Sequence, residues 1–183
     1  MRENIVAKGK IFELVQLPQP DGRVFEVARR TPGVRLIIPN IADGTIMLTK
    51  EFRRELNDYD YRLPGGKVFN TLDEYERHRE SGSDILGPVF EKVKGEGAEE
   101  AGIDIIEADF FKKSTLGATV EWDLYVYIVT KWKPHKAGQQ LESGENIDAT
   151  GWFSYEEAKS KVLGGDMAEE RMALVLLQWL NKQ

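Results

Sequence analysis

The chain has 183 residues, 41% hydrophobic and 31% charged, with a formal net charge of −6, a profile that suits one soluble globular core. The acidic balance argues against a general nucleic-acid binder, and the lack of cysteine excludes disulfides and thiolate metal sites. Two histidines, His78 and His135, are too few for a His-rich zinc site, so any bound metal is expected to be a hard cation on oxygen ligands.

The N-terminal MRENIVAKGK has no apolar signal-peptide core. No apolar run approaches the roughly 20 residues that span a bilayer, so a cytoplasmic location is expected. KIFELVQLPQP and RVFEVARR read as strands around the turn signal Pro20-Asp21-Gly22. VRLIIPNIADGTIMLTKEFR reads as a hairpin, in which Val34–Pro39 and Thr45–Thr49 flank Asp43-Gly44. RLPGGKV is a strand end entering a glycine turn. Residues 70–87, NTLDEYERHRESGSDILG, are charged and offer no more than a short helix. They suit a surface excursion or a lid, and His78 within them reads as an exposed histidine without a role.

A helix is predicted from Pro88, a favourable first-turn residue, to Ala101, with Gly102 as its stop. DFFKKSTLG and EWDLYVYIVTKW are strand-like, and Glu121 and Trp122 at the start of the second read as edge or core residues. Residues 133–148 form a polar loop and TGWFS a short strand. SYEEAKSKVLGG is a helix opened by a capping box, Ser154 with Glu157, and closed at Gly164. The terminal helix sets Met172, Leu176 and Leu180 on one stripe. With no repeat and no linker, the order implies one α+β domain, a mixed sheet with helices against it.

The stretch FEKVKGEGAEEAGI, residues 90–103, carries the chemistry. Gly95 and Gly97 each weaken a helix by roughly 1 kcal/mol relative to alanine. At about 100° per residue, Glu96, Glu99 and Glu100 share one face. Glu96 and Glu100, one turn apart, repel unless a cation lies between them. Two readings are open, a solvated acidic face and an oxygen cage for Mg²⁺ or Mn²⁺. Such a cage beside a glycine turn suits a substrate diphosphate.

LPGGKV before the helix and EEAGI at its end resemble the Nudix box, which runs Gly, five residues, Glu, seven residues, Arg-Glu-aliphatic-x-Glu-Glu-x-Gly-aliphatic. Gly66 matches its opening glycine, and Glu96, Glu99, Glu100, Gly102 and Ile103 match its closing half. VRLIIPNIADGTIMLTKEFR, ENIDATGWFSYEEA and ALVLLQWL resemble the ADP-ribose pyrophosphatase branch of that superfamily. The box is split and degenerate. It has 28 residues between Gly66 and Gly95 where the pattern has 13. Its first glutamate falls at Leu72, with Asp73 or Glu74 as stand-ins. Its arginine is replaced by Gly95 and its aliphatic residue by Gly97. Lys92, one turn before Glu96, is a candidate replacement charge.

The resemblance implies a Nudix-like mixed sheet sandwiched by helices. Residues 1–32 would be an N-terminal antiparallel strand extension that contributes to a homodimer, and residues 70–87 an insertion within the box. It also implies a metal-dependent pyrophosphohydrolase acting on a nucleoside diphosphate linked to another moiety, with ADP-ribose or a sugar nucleotide favoured. Glu96, Glu99 and Glu100 would hold Mg²⁺ (or Mn²⁺) with the Gly65 carbonyl. Arg53, with Arg54 as the fallback, and Gly66 are the substrate-binding candidates. Glu145, or Glu142 in the same loop, would act as general base. The altered box motivates two other readings: a nucleotide-binding or regulatory module without catalysis, and an enzyme for a nucleoside triphosphate or a nonnucleotide diphosphate.

Overall fold

The computed structural model describes residues 3–117, 119–141 and 147–183. Among them the chain runs through β1 (Asn4–Lys8), β2 (Phe12–Pro18), β3 (Val24–Arg30), β4 (Gly33–Ile37), β5 (Pro39–Asn40), β6 (Thr45–Arg53) and β7 (Asp58–Arg62). Then come α1 (Leu72–Ser81), α2 (Leu86–Glu99), β8 (Ile103–Ser114), β9 (Val120–Glu121) and β10 (Leu124–Pro134). The chain finishes with β11 (Ile147–Ser154), α3 (Tyr155–Gly164) and α4 (Glu170–Leu180). The strands form three sheets, ordered β1-β2-β3-β9, β4-β10-β8 and β11-β6-β5, with β7 paired to β6. This is the expected mixed α/β architecture with an N-terminal antiparallel extension.

Alternation along the central strands explains the layering. Side chains on a strand point to opposite faces in turn, and here both faces are buried. Val34, Leu36 and Ile38 pack with Met47 against Val89 and Val93 of α2. Ile37, Ile46 and Leu48 face the other way, into a core with Ala158 and Val162 of α3 and Met172 and Leu176 of α4. Helices therefore cover both sides. No described helix is long and apolar enough to cross a membrane.

The hairpin expected over residues 34–53 is corrected. Val34–Ile37 pair with β10, in parallel, Leu36 opposite Tyr127. The hairpin forms only at its turn end, where Pro39 and Asn40 pair with β6 and the Met47 amide donates to the Ile38 carbonyl at 3.0 Å. The first run is buried on both faces and, but for Arg35, apolar, so pattern alone does not reveal that the chain changes sheets near Ile38. The polar segment 70–87 contains α1, capped by Thr71. It is docked on the N-terminal strands, with Leu72 buried and Lys8 within 2.7 Å of Asp73 and 2.6 Å of Glu76. The capping box Ser154–Glu157 forms as expected.

The two helix glycines separate in role. Gly97 continues the stripe of Val89 and Val93, and a Cβ there would sit 2.6 Å from Ile105 Cδ1. Glycine lets α2 lie close to β8, and a side chain would overpack that contact. Around Gly95 a Cβ would meet only Glu99 Oε1 at 3.7 Å and Lys92 Cδ at 4.0 Å, so packing does not explain it. Gly95→Ala is expected to stabilise the fold by about 1 kcal/mol. A chemical denaturation midpoint that does not rise would reveal a hidden clash.

Candidate active site

The carboxylate helix and the glycine turn meet as a unit. Gly65 has φ 142°, and a Cβ there would run into the Val34 carbonyl. At Gly66 a Cβ would overlap the carboxylate of Glu96. Gly65 thus lets the loop after β7 lie against β4, and Gly66 lets it lie on the C-terminal end of α2. The Gly65 amide donates to Glu100 Oε2 at 2.7 Å.

Glu96 is only 3% exposed. Lys92 Nζ lies 3.0 Å from Glu96 Oε1 and 3.1 Å from Glu99 Oε2, so the candidate charge one turn before Glu96 does contact these carboxylates. Burial alone would depress the Lys92 ammonium, but Glu96 and Glu99 outweigh it and hold its pKa above the usual range. Burial pushes the Glu96 carboxyl up, and Lys92 only partly counters it.

That shift has a pH consequence. Between the ordinary carboxylate value and the raised value of folded Glu96, the folded chain binds more protons than the unfolded one. Ionisation of Glu96 therefore removes stability as pH rises through that window. Relative to wild type, Glu96→Gln is expected to gain stability as pH is raised from about 4 to 7. Denaturation midpoints measured across that range check it, and a constant difference would contradict the shift.

Beside the carboxylates lies a cavity of about 210 Å³ between the three sheets. Arg30, Arg35, Arg53, Arg62 and Lys67 line it, against two carboxylates, Glu51 and Glu100. Arg53 does reach this cavity, held by Glu55 at 2.8 Å and Glu51 at 3.2 Å. Arg54 is exposed in the following turn and does not line it. Arg62 is paired with Asp60 and Glu169, both at 2.8 Å. Arg35 donates to the Val34 carbonyl at 3.0 Å and to the Gly65 carbonyl, the oxygen that the resemblance assigns to a metal.

Several lining residues were not anticipated. Trp122, read as edge or core, lines the cavity. Its ring is flanked by the guanidinium carbons of Arg30 and Arg171, at 4.2 and 4.3 Å from its centroid. Arg35 carried a signal in the sequence: one cation in GVRLII, a run buried on both faces, must meet a polar partner or a ligand. Arg30 carried none, because only the fold brings β3 against Trp122.

Glu142 and Glu145 lie outside the described residues. The chain on either side of them touches the site. The Gln140 amide donates to the Glu99 carbonyl at 2.9 Å, Gln139 Nε2 donates to the Glu100 carbonyl at 2.8 Å, and Ile147 lines the cavity.

Among the described residues, no three His, Cys, Asp or Glu side chains converge as a metal-binding group; Lys92 stands between two of the expected ligands. The donor chemistry itself suits a hard cation. Three carboxylates end one helix, and the buried charge of Glu96 is incompletely offset by Lys92.

No family model matches the chain, and no curated protein matches it. Among solved structures it is similar to a crystal structure described as that of an ADP compounds hydrolase, with a TM-score of 0.66 and 19% sequence identity. The match covers 100% of this chain and 94% of the other. Identity that low speaks to architecture alone: from end to end, the chain shares the fold of that ADP compounds hydrolase.

Proposed function

We propose that the chain is a Nudix-type hydrolase that adds water across the phosphoric anhydride of a nucleoside diphosphate linked to another moiety, with ADP-ribose or a related sugar nucleotide favoured. One observation carries the reading: the Gly65-Gly66 turn is seated on Glu96 and Glu100 at the mouth of a cation-lined cavity. The shared fold with an ADP compounds hydrolase supports an ADP-bearing substrate.

Glu96, Glu99 and Glu100 would hold Mg²⁺ or Mn²⁺, with the second lone pair of the Gly65 carbonyl as a further donor. The bound cation would offset phosphate charge and activate water. Arg53 would hold the substrate's phosphate, since a guanidinium matches its geometry. Gly66 would let the substrate approach the backbone. Glu145, or Glu142, would take the proton of the attacking water. Incubated with Mg²⁺ and ADP-ribose, the protein is expected to release AMP and ribose 5-phosphate. No product from ADP-ribose or from a panel of sugar nucleotides would end this reading.

A second reading rests on Lys92 between Glu96 and Glu99: a nucleotide-binding module without turnover. It requires nucleotide to raise the melting temperature while no divalent metal yields product.

A further inference from the structure

The C-terminal end of α2 is closed by donors from a segment distant in sequence. The last carbonyls of a helix have no partner within it, and here they belong to residues proposed as metal ligands. The Glu99 carbonyl accepts from the Gln140 amide at 2.9 Å. The Glu100 carbonyl accepts twice, from Gln139 Nε2 at 2.8 Å and from Thr150 Oγ1 at 3.2 Å, which occupies both of its lone pairs. Gln139 Nε2 also donates to Thr150 Oγ1 at 3.0 Å, so the three groups form a ring that joins α2, the segment after β10, and β11. Gly102 permits the approach. Its φ is 64°, and a Cβ there would sit 3.0 Å from the Gln139 amide nitrogen.

Glu100 is thereby held at both ends. Its carboxylate receives the Gly65 amide at 2.7 Å, and its carbonyl receives Gln139 and Thr150. It is the C-cap residue of α2, and helix ends fray. Bonds to its carbonyl fix the peptide from which its side chain departs.

The donors are also all neutral. A helix C-terminus carries a partial charge of roughly −0.5, commonly answered by lysine or arginine. The last turn of α2 has no basic residue, and its carbonyls are met by amides and a hydroxyl. Neutral donors satisfy the carbonyls without setting another side-chain cation against the carboxylates. The negative charge there stays open to a metal ion.

We propose that Gln139 and Thr150 are positioning residues for metal binding, which fix the Glu100 backbone and through it the direction of its carboxylate. The proposal rests on the hydrolase reading for the role of Glu100 as a ligand, and neither residue is among the site candidates of the sequence. Groups that orient a metal ligand typically account for roughly 10- to 100-fold in metal affinity.

The test is calorimetric titration with Mn²⁺ in the absence of substrate, with a denaturation midpoint for each variant. Thr150→Val keeps the shape and removes the hydroxyl, and it is expected to weaken Mn²⁺ binding about tenfold. Gln139→Met keeps the length and removes the donor, with a similar loss. Thr150→Ser keeps the hydroxyl and is expected to bind as wild type. A purely structural role would lower the midpoint of Thr150→Val and leave the Mn²⁺ affinity of the folded protein unchanged, and that result overturns the proposal. Equal weakening by Thr150→Ser overturns it as well, because the hydroxyl would then not be the cause. So does a wild type that binds no Mn²⁺ at millimolar concentration. If Thr150→Val does not fold, Gln139→Met decides. The hydrolase reading fails separately, by absent product from ADP-ribose with Mg²⁺ present, whatever the Mn²⁺ affinities are.

Discussion

Glu100→Gln is expected to lower kcat on ADP-ribose by roughly 10³-fold, about 4 kcal/mol of transition-state stabilisation. Loss of a group that merely supports a metal ligand typically costs 10- to 100-fold, and Glu100 is proposed to be a ligand itself. It also receives the Gly65 amide, so it ties the glycine turn to the helix. Glutamine keeps the size of glutamate and one acceptor oxygen, so that amide bond can persist. Denaturation midpoints should therefore stay close to wild type, which separates lost chemistry from lost folding. Unchanged turnover would remove the carboxylate helix from the active site. Turnover that falls together with the melting temperature would make Glu100 a structural residue.

Lys92→Met is expected to destabilise the metal-free protein by about 3 kcal/mol. Removing one partner of a buried ion pair costs roughly 3–5 kcal/mol. The lower end applies because the Lys92 side chain is 22% exposed whereas that of Glu96 is 4% exposed. For a chain of this size, the melting temperature should fall by about 6–12 °C. The same variant reports on the cation. With Lys92 gone, Glu96 and Glu99 lose their ammonium, and saturating Mn²⁺ is expected to restore most of the lost stability. An unchanged melting temperature without metal would show that Lys92 does not hold Glu96. A fall that Mn²⁺ does not reverse would show that these carboxylates do not take a divalent ion.

The contrast between these two residues shows where the sequence was informative. Glu96, Glu99 and Glu100 were legible because helical periodicity sets them on one face. The glycine turn was legible because Gly65 and Gly66 follow a strand end. Lys92 could be named as a nearby charge, since i and i+4 meet on any helix. Its second contact, to Glu99, depended on how the side chain settles when α2 is packed. The hairpin over residues 34–53 held only at its turn end, for a related reason. An apolar run buried on both faces has no polar face to mark its register, so the pairing of β4 with β10 was invisible locally.

Local pattern, capping and turn chemistry were thus enough for the fold class, the helix that bears the carboxylates and the turn placed before it. Those features depend on residues near one another in the chain. The cavity was decided only in three dimensions. Arg30, Arg35, Arg62 and Trp122 come from four separate strands or loops, and apart from Arg35 each alone reads as an ordinary surface or core residue. Tertiary packing places them around one space, leaves Arg30 without an ion pair among the described residues and Arg35 with Glu169 at 3.9 Å, and sets that charge beside the glutamates. Charge compensation is a property of what surrounds a group, and those surroundings exist only once the sheets have met.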